Sequence, residues 1–102
     1  MIFKSFKALS FLLENGKVAT MRDYPYRVNQ TVYIKKVEGI SRRTVAKAKI
    51  EKVVLNNLRN RIRYYTISGF NSVEEWLEEA IFLNKKIPRY IIVLKLIKKL
   101  LV

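Results

Sequence analysis

Leu12-Leu13-Glu14-Asn15-Gly16-Lys17-Val18-Ala19-Thr20-Met21-Arg22-Asp23-Tyr24 contains a change of structural period. Upstream, residues 5–15 are ambiguous, but Phe6, Leu9, Leu12 and Leu13 fit one helix face, and Gly16 would end that helix. Downstream, Lys17 to Arg22 reads as a strand. Thr20 and Arg22, two apart, point the same way on a strand, with Lys17 at its start. Lys and Arg supply fixed positive donors and Thr a short hydroxyl, a set that suits a phosphate or the edge of a nucleobase. Taken as residues alone, the three also read as an ordinary solvated strand edge.

Working outward, the chain is mostly strand. Thr31-Val32-Tyr33-Ile34 is β-branched and aromatic. Ala46, Ala48 and Ile50 alternate with Lys47, Lys49 and Glu51, the pattern of a half-buried strand, and Glu38-Gly39 reads as the hairpin turn between the two runs. Ile62 and Tyr64 alternate with Arg61 and Arg63, which reads as a short strand. Tyr90 to Leu94 is near-continuously apolar after Pro88 and reads as a buried strand. One helix is clear. Val73, Trp76, Leu77, Ala80 and Ile81 form an apolar stripe at helical spacing, which makes Trp76 a core residue. Glu74, Glu75, Glu78 and Glu79 read as its solvated face, and Ser72 with Glu75 fits a capping box. Several short strands with one or two helices predict a small mixed β-barrel of the α+β class in a single domain, 1–102.

Composition narrows the chemistry. The 102 residues contain 21 Lys and Arg against 8 Asp and Glu, a net charge of +13, with no His and no Cys. That excludes a thiol nucleophile, a disulfide framework, a His/Cys zinc site and His-based acid/base catalysis. No cofactor and no metal is expected. The positive charge points to an anionic partner: RNA, DNA or an acidic membrane surface. It is concentrated in residues 34–67, with ten positives and two negatives, and in residues 84–102, with six positives and no negatives. Met1 to Leu13 only loosely imitates a signal peptide, because Lys7 breaks its short apolar run and no small-residue cleavage site follows. Lys95, Lys98 and Lys99 keep the C-terminal stretch from spanning a bilayer, so it reads as a closing strand with a tail packed on the domain. The expectation is a cytoplasmic protein, monomer or weak dimer, with no membrane role.

Asn15-Gly16-Lys17-Val18-Ala19-Thr20-Met21-Arg22 resembles the signature of the ASCH domain family, a branch of the PUA-like β-barrel superfamily. The family pattern is roughly Gly-x-Lys-x-x-(Glu/Thr)-x-Arg after a short helix. Its Lys, Thr and Arg fall on Lys17, Thr20 and Arg22, while Asn15 replaces its first Gly. The likeness continues through Tyr26–Ile34, Val45–Val54, Gly69–Trp76 and Tyr90–Leu96, and so covers roughly residues 5–97. It implies a small PUA-like mixed β-barrel with a short N-terminal helix and one amphipathic helix before the last strand.

It also implies an RNA-binding or nucleotide-binding module whose basic cleft is lined by Lys17, Thr20 and Arg22. One branch of the family resembles small amidohydrolases acting on acylated cytidine, in which the motif Lys and Thr work with a Glu just before the second helix. Lys17 and Thr20 match that branch. Ile67-Ser68-Gly69-Phe70 holds no carboxylate where the Glu belongs, and Glu51 would substitute only if the barrel brought it near. The alternative function is therefore that hydrolysis, or RNA cleavage, in the same cleft. Tyr24, directly after Arg22-Asp23, is the best base-stacking candidate. Arg42, Arg43, Lys47 and Lys49 read either as phosphate contacts or as a solvated face that protects an edge strand.

Overall fold

The computed structural model describes residues 1–100. Strand β1 (Ile2–Phe3) leads into helix α1 (Phe6–Asn15). Ser5 caps the helix by accepting the Ala8 amide at 3.3 Å, which satisfies a donor that the first turn leaves without a partner. Gly16 ends it at φ 78, donating its amide to the Leu12 carbonyl at 2.8 Å. That left-handed conformation carries little cost for a residue without a Cβ. The chain passes directly into β2 (Lys17–Arg22).

Three longer strands follow: β3 (Thr31–Glu38), β4 (Ser41–Leu55) and β5 (Tyr90–Lys99). The predicted hairpin joins β3 to β4 with Gly39 at positive φ. The strand order is β1-β3-β4-β5-β2, with β1 parallel to β3 and the other neighbours antiparallel. The 15-residue β4 pairs with both β3 and β5 and carries three register shifts, at Ile34/Lys35 against β3 and at Lys47/Ala48 and Ile50/Lys52 against β5. Each shift bends the strand and raises its twist. The sheet consequently curls into a half-barrel, an α+β, barrel-like fold. Its two edge strands, β1 and β2, face each other across an open seam.

Residues directly opposite in an antiparallel pair share a face, so the register sorts the side chains. Val18, Ile34, Ala46, Ala48, Ile50, Ile92 and Leu94 point inward and pack with Ala8, Leu9 and Leu12 of α1. Ala19, Met21, Ile91 and Val93 point outward, where Trp76 and Ala80 of helix α3 (Val73–Asn84) cover them. Ile91 to Leu94 is thus buried on both faces, which explains its unbroken apolar run. The remainder of the outer face has no helix over it and carries Lys17, Lys47, Lys49 and Lys95.

One element differs in kind from the expectation. Residues 58–64 form helix α2 (Leu58–Tyr64), not a strand, followed by a 3-10 turn over Tyr65–Ile67. Asn57 caps α2 by accepting the Asn60 amide at 2.9 Å, and Asn56 accepts from Arg61 Nη1 at 2.9 Å. The Arg/Ile/Arg/Tyr alternation spans only four residues, and Leu58 and Ile62 equally satisfy helical spacing. The half-barrel therefore carries a further helix beyond the two read from the sequence. Helix α3 starts as predicted, with Ser72 accepting the Glu75 amide at 3.0 Å, but the Glu75 carboxylate pairs with Lys7 on α1. The expected packing of the tail at Leu101 and Val102 lies outside the described residues.

Gly69 holds the turn between the 3-10 segment and α3 against α1. Its φ is +89, and a Cβ there would lie 2.5 Å from the Lys7 carbonyl oxygen. Gly16 is also at positive φ, yet has open space around it. Gly69→Ala is expected to destabilise the fold by about 2–4 kcal/mol, and Gly16→Ala by only about 1 kcal/mol. Thermal or urea denaturation of the two variants checks this order.

Candidate functional site

The open seam of the half-barrel contains a cavity of about 260 Å³. Ile2, Phe3 and Lys4 line one side and Thr20, Met21 and Arg22 the other, with Trp76, Glu79, Ala80 and Asn84 of α3 closing it from outside the sheet. Arg42 reaches it from the start of β4.

Arg22 spans the seam. Its Nη1 donates to the Ile2 carbonyl on β1 at 2.5 Å, and its Nε donates to the Thr20 hydroxyl on its own strand at 3.2 Å. The guanidinium carbon lies 4.6 Å from the centre of the Phe3 ring, within cation–π range. Burial pushes the Arg22 pKa down to about 10, with Tyr26 opposing the shift. A guanidinium stays protonated well above neutral pH even so, and the depression measures what the charged form loses by leaving water. Among the described residues no carboxylate forms an ion pair with it. Thr20 is buried, and its hydroxyl, already accepting from Arg22, retains a proton to donate. The cavity thus offers a desolvated cation, a hydroxyl and aromatic walls, with Lys4 and Arg42 exposed at its rim. Glu79 is the one acidic side chain that lines it.

The predicted motif is divided. Thr20, Arg22 and Arg42 meet at the cavity, whereas Lys17 does not line it. Lys17 and Thr20 are three positions apart, and an odd spacing on a strand puts two side chains on opposite faces. Lys17 points outward and donates to Glu51 Oε1 at 2.9 Å. The Lys17 hydrogen bond holds the Glu51 carboxyl below its ordinary range, burial opposes this, and the charges of Lys17, Lys95 and Lys52 reinforce it. The barrel does therefore bring Glu51 to Lys17, but on the face that Thr20 turns away from. Tyr24 is exposed outside the cavity, edge-on to Tyr26 with ring centres 4.8 Å apart. Arg43 pairs with Glu38 at 2.9 Å, and Lys47 and Lys49 lie on the outer face of β4. The expected cluster is thus one cavity plus a separate basic surface.

Phe3, Lys4 and Glu79 join the site unannounced, and Trp76 serves both core and cavity. A two-residue strand gives no periodic signal, so β1 was not legible. Glu79 did leave one. Trp76, Glu79, Ala80 and Leu83 fall at i, i+3, i+4 and i+7, which places Glu79 on the apolar stripe and not on the solvated face assigned to it. Glu74 and Glu78 do lie in solvent. Among the described residues no three acidic side chains gather as a metal site would require.

A scan against protein-family models and a search of curated proteins each returned no match. The site therefore rests on its own geometry, of which the Arg22 bridge is the most exposed to test. Arg22→Ala should cost about 1–3 kcal/mol through the lost charged hydrogen bonds. It should also speed hydrogen exchange at the Lys35 amide, which bonds the Met1 carbonyl and reports the docking of the N-terminal strand. The Asn29 amide, bonded to the Ile50 carbonyl away from the seam, should change no more than global stability requires.

Proposed function

We propose that this protein binds RNA and seats one nucleotide in the seam cavity. The observation that carries the reading is Arg22: a desolvated cation with no anionic partner, opening onto a cavity beside an unspent hydroxyl. A half-buried cation without a counter-charge carries a desolvation cost, and an incoming phosphate or carbonyl oxygen offsets it. Phe3 and Trp76 are core residues that reach the cavity only at their margins, and half-buried Phe70 completes an apolar wall against which a base can pack. The volume, about 260 Å³, is that of a small-ligand cleft and is too small for a duplex. The charge of +13 raises the local concentration of any polyanion around the site. The resemblance to the ASCH family agrees with this reading, since its Thr and Arg positions fall on the two residues at the cavity. A cytoplasmic, Cys-free protein of this kind meets RNA as its commonest polyanion, and the ribose 2′-hydroxyl is what would set RNA above DNA.

The hydrolytic alternatives find less support. Amide hydrolysis needs Lys17, Thr20 and a carboxylate around one substrate carbonyl. Lys17 and Glu51 form their pair on the far face, and Glu79 alone would have to act as base at the cavity.

Binding of a single-stranded oligouridine should weaken linearly in log–log fashion as salt rises. Thr20→Val, which keeps shape and removes the hydroxyl, should weaken it about threefold to tenfold, and Arg22→Met by about tenfold or more. Glu74→Gln with Glu78→Gln should not weaken it. Fluorescence anisotropy reads all four. Absence of binding at low salt, or full affinity in both cavity variants, would contradict the proposal.

A further inference from the structure

We infer that the bare half of the outer sheet face is a second RNA-binding surface, one that holds phosphates of a different segment from the nucleotide in the cavity. The partner class is taken from the function proposed above, but the surface is a separate one. Register places Lys17 of β2 directly opposite Lys95 of β5, and Lys95 directly opposite Lys49 of β4. Lys47 stands opposite Lys98, with Tyr33 beside it on β3. Five lysines thus form two adjoining rows, with neighbours about 5 Å apart across the strands. Glu51 is the acid among them and is engaged by Lys17.

Like charges directly opposite in a sheet destabilise it. Protection of an edge explains lysines on an edge strand, but β4 and β5 are interior strands with a neighbour on each side. Glu51 compensates Lys17 and lies near Lys95, but among the described residues Lys47, Lys49 and Lys98 have no ion-pair partner, so these pairs work against the sheet with only partial compensation inside the fold. A row of phosphates supplies the rest, and Tyr33, 54% exposed at the border, offers a face on which a base can stack. The acidic helix α3 covers the other half of the same outer face and fences the path on that side.

The two surfaces cannot serve neighbouring nucleotides. None of the five lysines lines the cavity. Lys17 and Arg22 sit at opposite ends of β2 and on opposite faces, about 16 Å apart along the strand. One RNA must wrap the β2 edge to reach both, or two segments must bind together.

The test compares two charge reversals of equal size: Lys47→Glu with Lys49→Glu on the ladder, and Arg59→Glu with Arg63→Glu on the exposed side of α2. The probe is an oligouridine of about 12 nucleotides, a length within the range that single-strand binding folds cover. The ladder variant should lose about tenfold more affinity than the α2 variant, and its log–log salt slope should fall by about 1.4, close to 0.7 per lysine. Its melting temperature should hold or rise, because each new Glu faces a lysine. Equal losses in the two variants would reduce the ladder to bulk charge and overturn the inference. So would preferential binding to phosphatidylserine vesicles over the oligouridine. If Thr20→Val and Arg22→Met bind as the unaltered protein does while the ladder variant fails, the cavity reading falls and this one stands.

Discussion

The curled sheet is held at its opening by one side chain. Arg22 reaches from β2 to the Ile2 carbonyl on β1, and so ties together two strands that share no backbone ladder. Apart from that reach, β1 is held by its short parallel pairing to β3, by the Met1 amine on the Tyr33 carbonyl and by Phe3 in the core, all on the far side of the seam from β2. The same contact strips water from the guanidinium and stacks it on Phe3. The group that bridges the seam is thus also the group whose charge is left without an ion-pair partner among the described residues. Thr20 accepts from the Arg22 Nε, which orients the guanidinium and leaves the hydroxyl proton available to donate.

The second organising constraint is how the outer face is shared. Helix α3 covers the end where Ala19, Met21, Ile91 and Val93 point outward, and the lysines occupy the end it leaves open. Lysines from three separate parts of the sequence, Lys17, Lys47 with Lys49, and Lys95 with Lys98, are thereby brought onto neighbouring strands as one surface. The acidic residues of α3 divide as well. Glu74 and Glu78 remain in solvent, Glu75 ties α3 to α1 through Lys7, and Glu79 turns to the cavity. Two features stand out within the net charge of +13: a half-buried cation in the seam and, behind it, a lysine field that Glu51 relieves only in part.

Much of this was legible in the sequence where the signal is local and periodic. Gly16 marked the end of α1, Ser72 the start of α3, and the alternation around Ala48 the inward face of β4. The run after Pro88 announced a buried strand, and the register shows it covered on both faces. What escaped reading depended on long-range pairing. β1 is two residues long and has no period. Residues 61–64 alternate like a strand, but the Asn57 cap made them helical. The Lys17–Thr20 spacing looked like a cluster in one dimension, while the parity of a strand sends the two side chains to opposite faces. Glu51 lies 34 residues from Lys17, and only the β4–β5–β2 register brings them together.

The central claim is that the seam bridged by Arg22 receives a nucleotide. Titration of the protein with uridine 5′-monophosphate, followed by nitrogen–proton NMR, tests it most directly. The account predicts that the Arg22 Nε–H, the Thr20 amide and the Trp76 indole N–H shift together and saturate at one common dissociation constant. The amides of Lys49 and Lys95 should stay in place at those concentrations. Shifts confined to the lysine strands, or no shift at Arg22 at saturation, would contradict it.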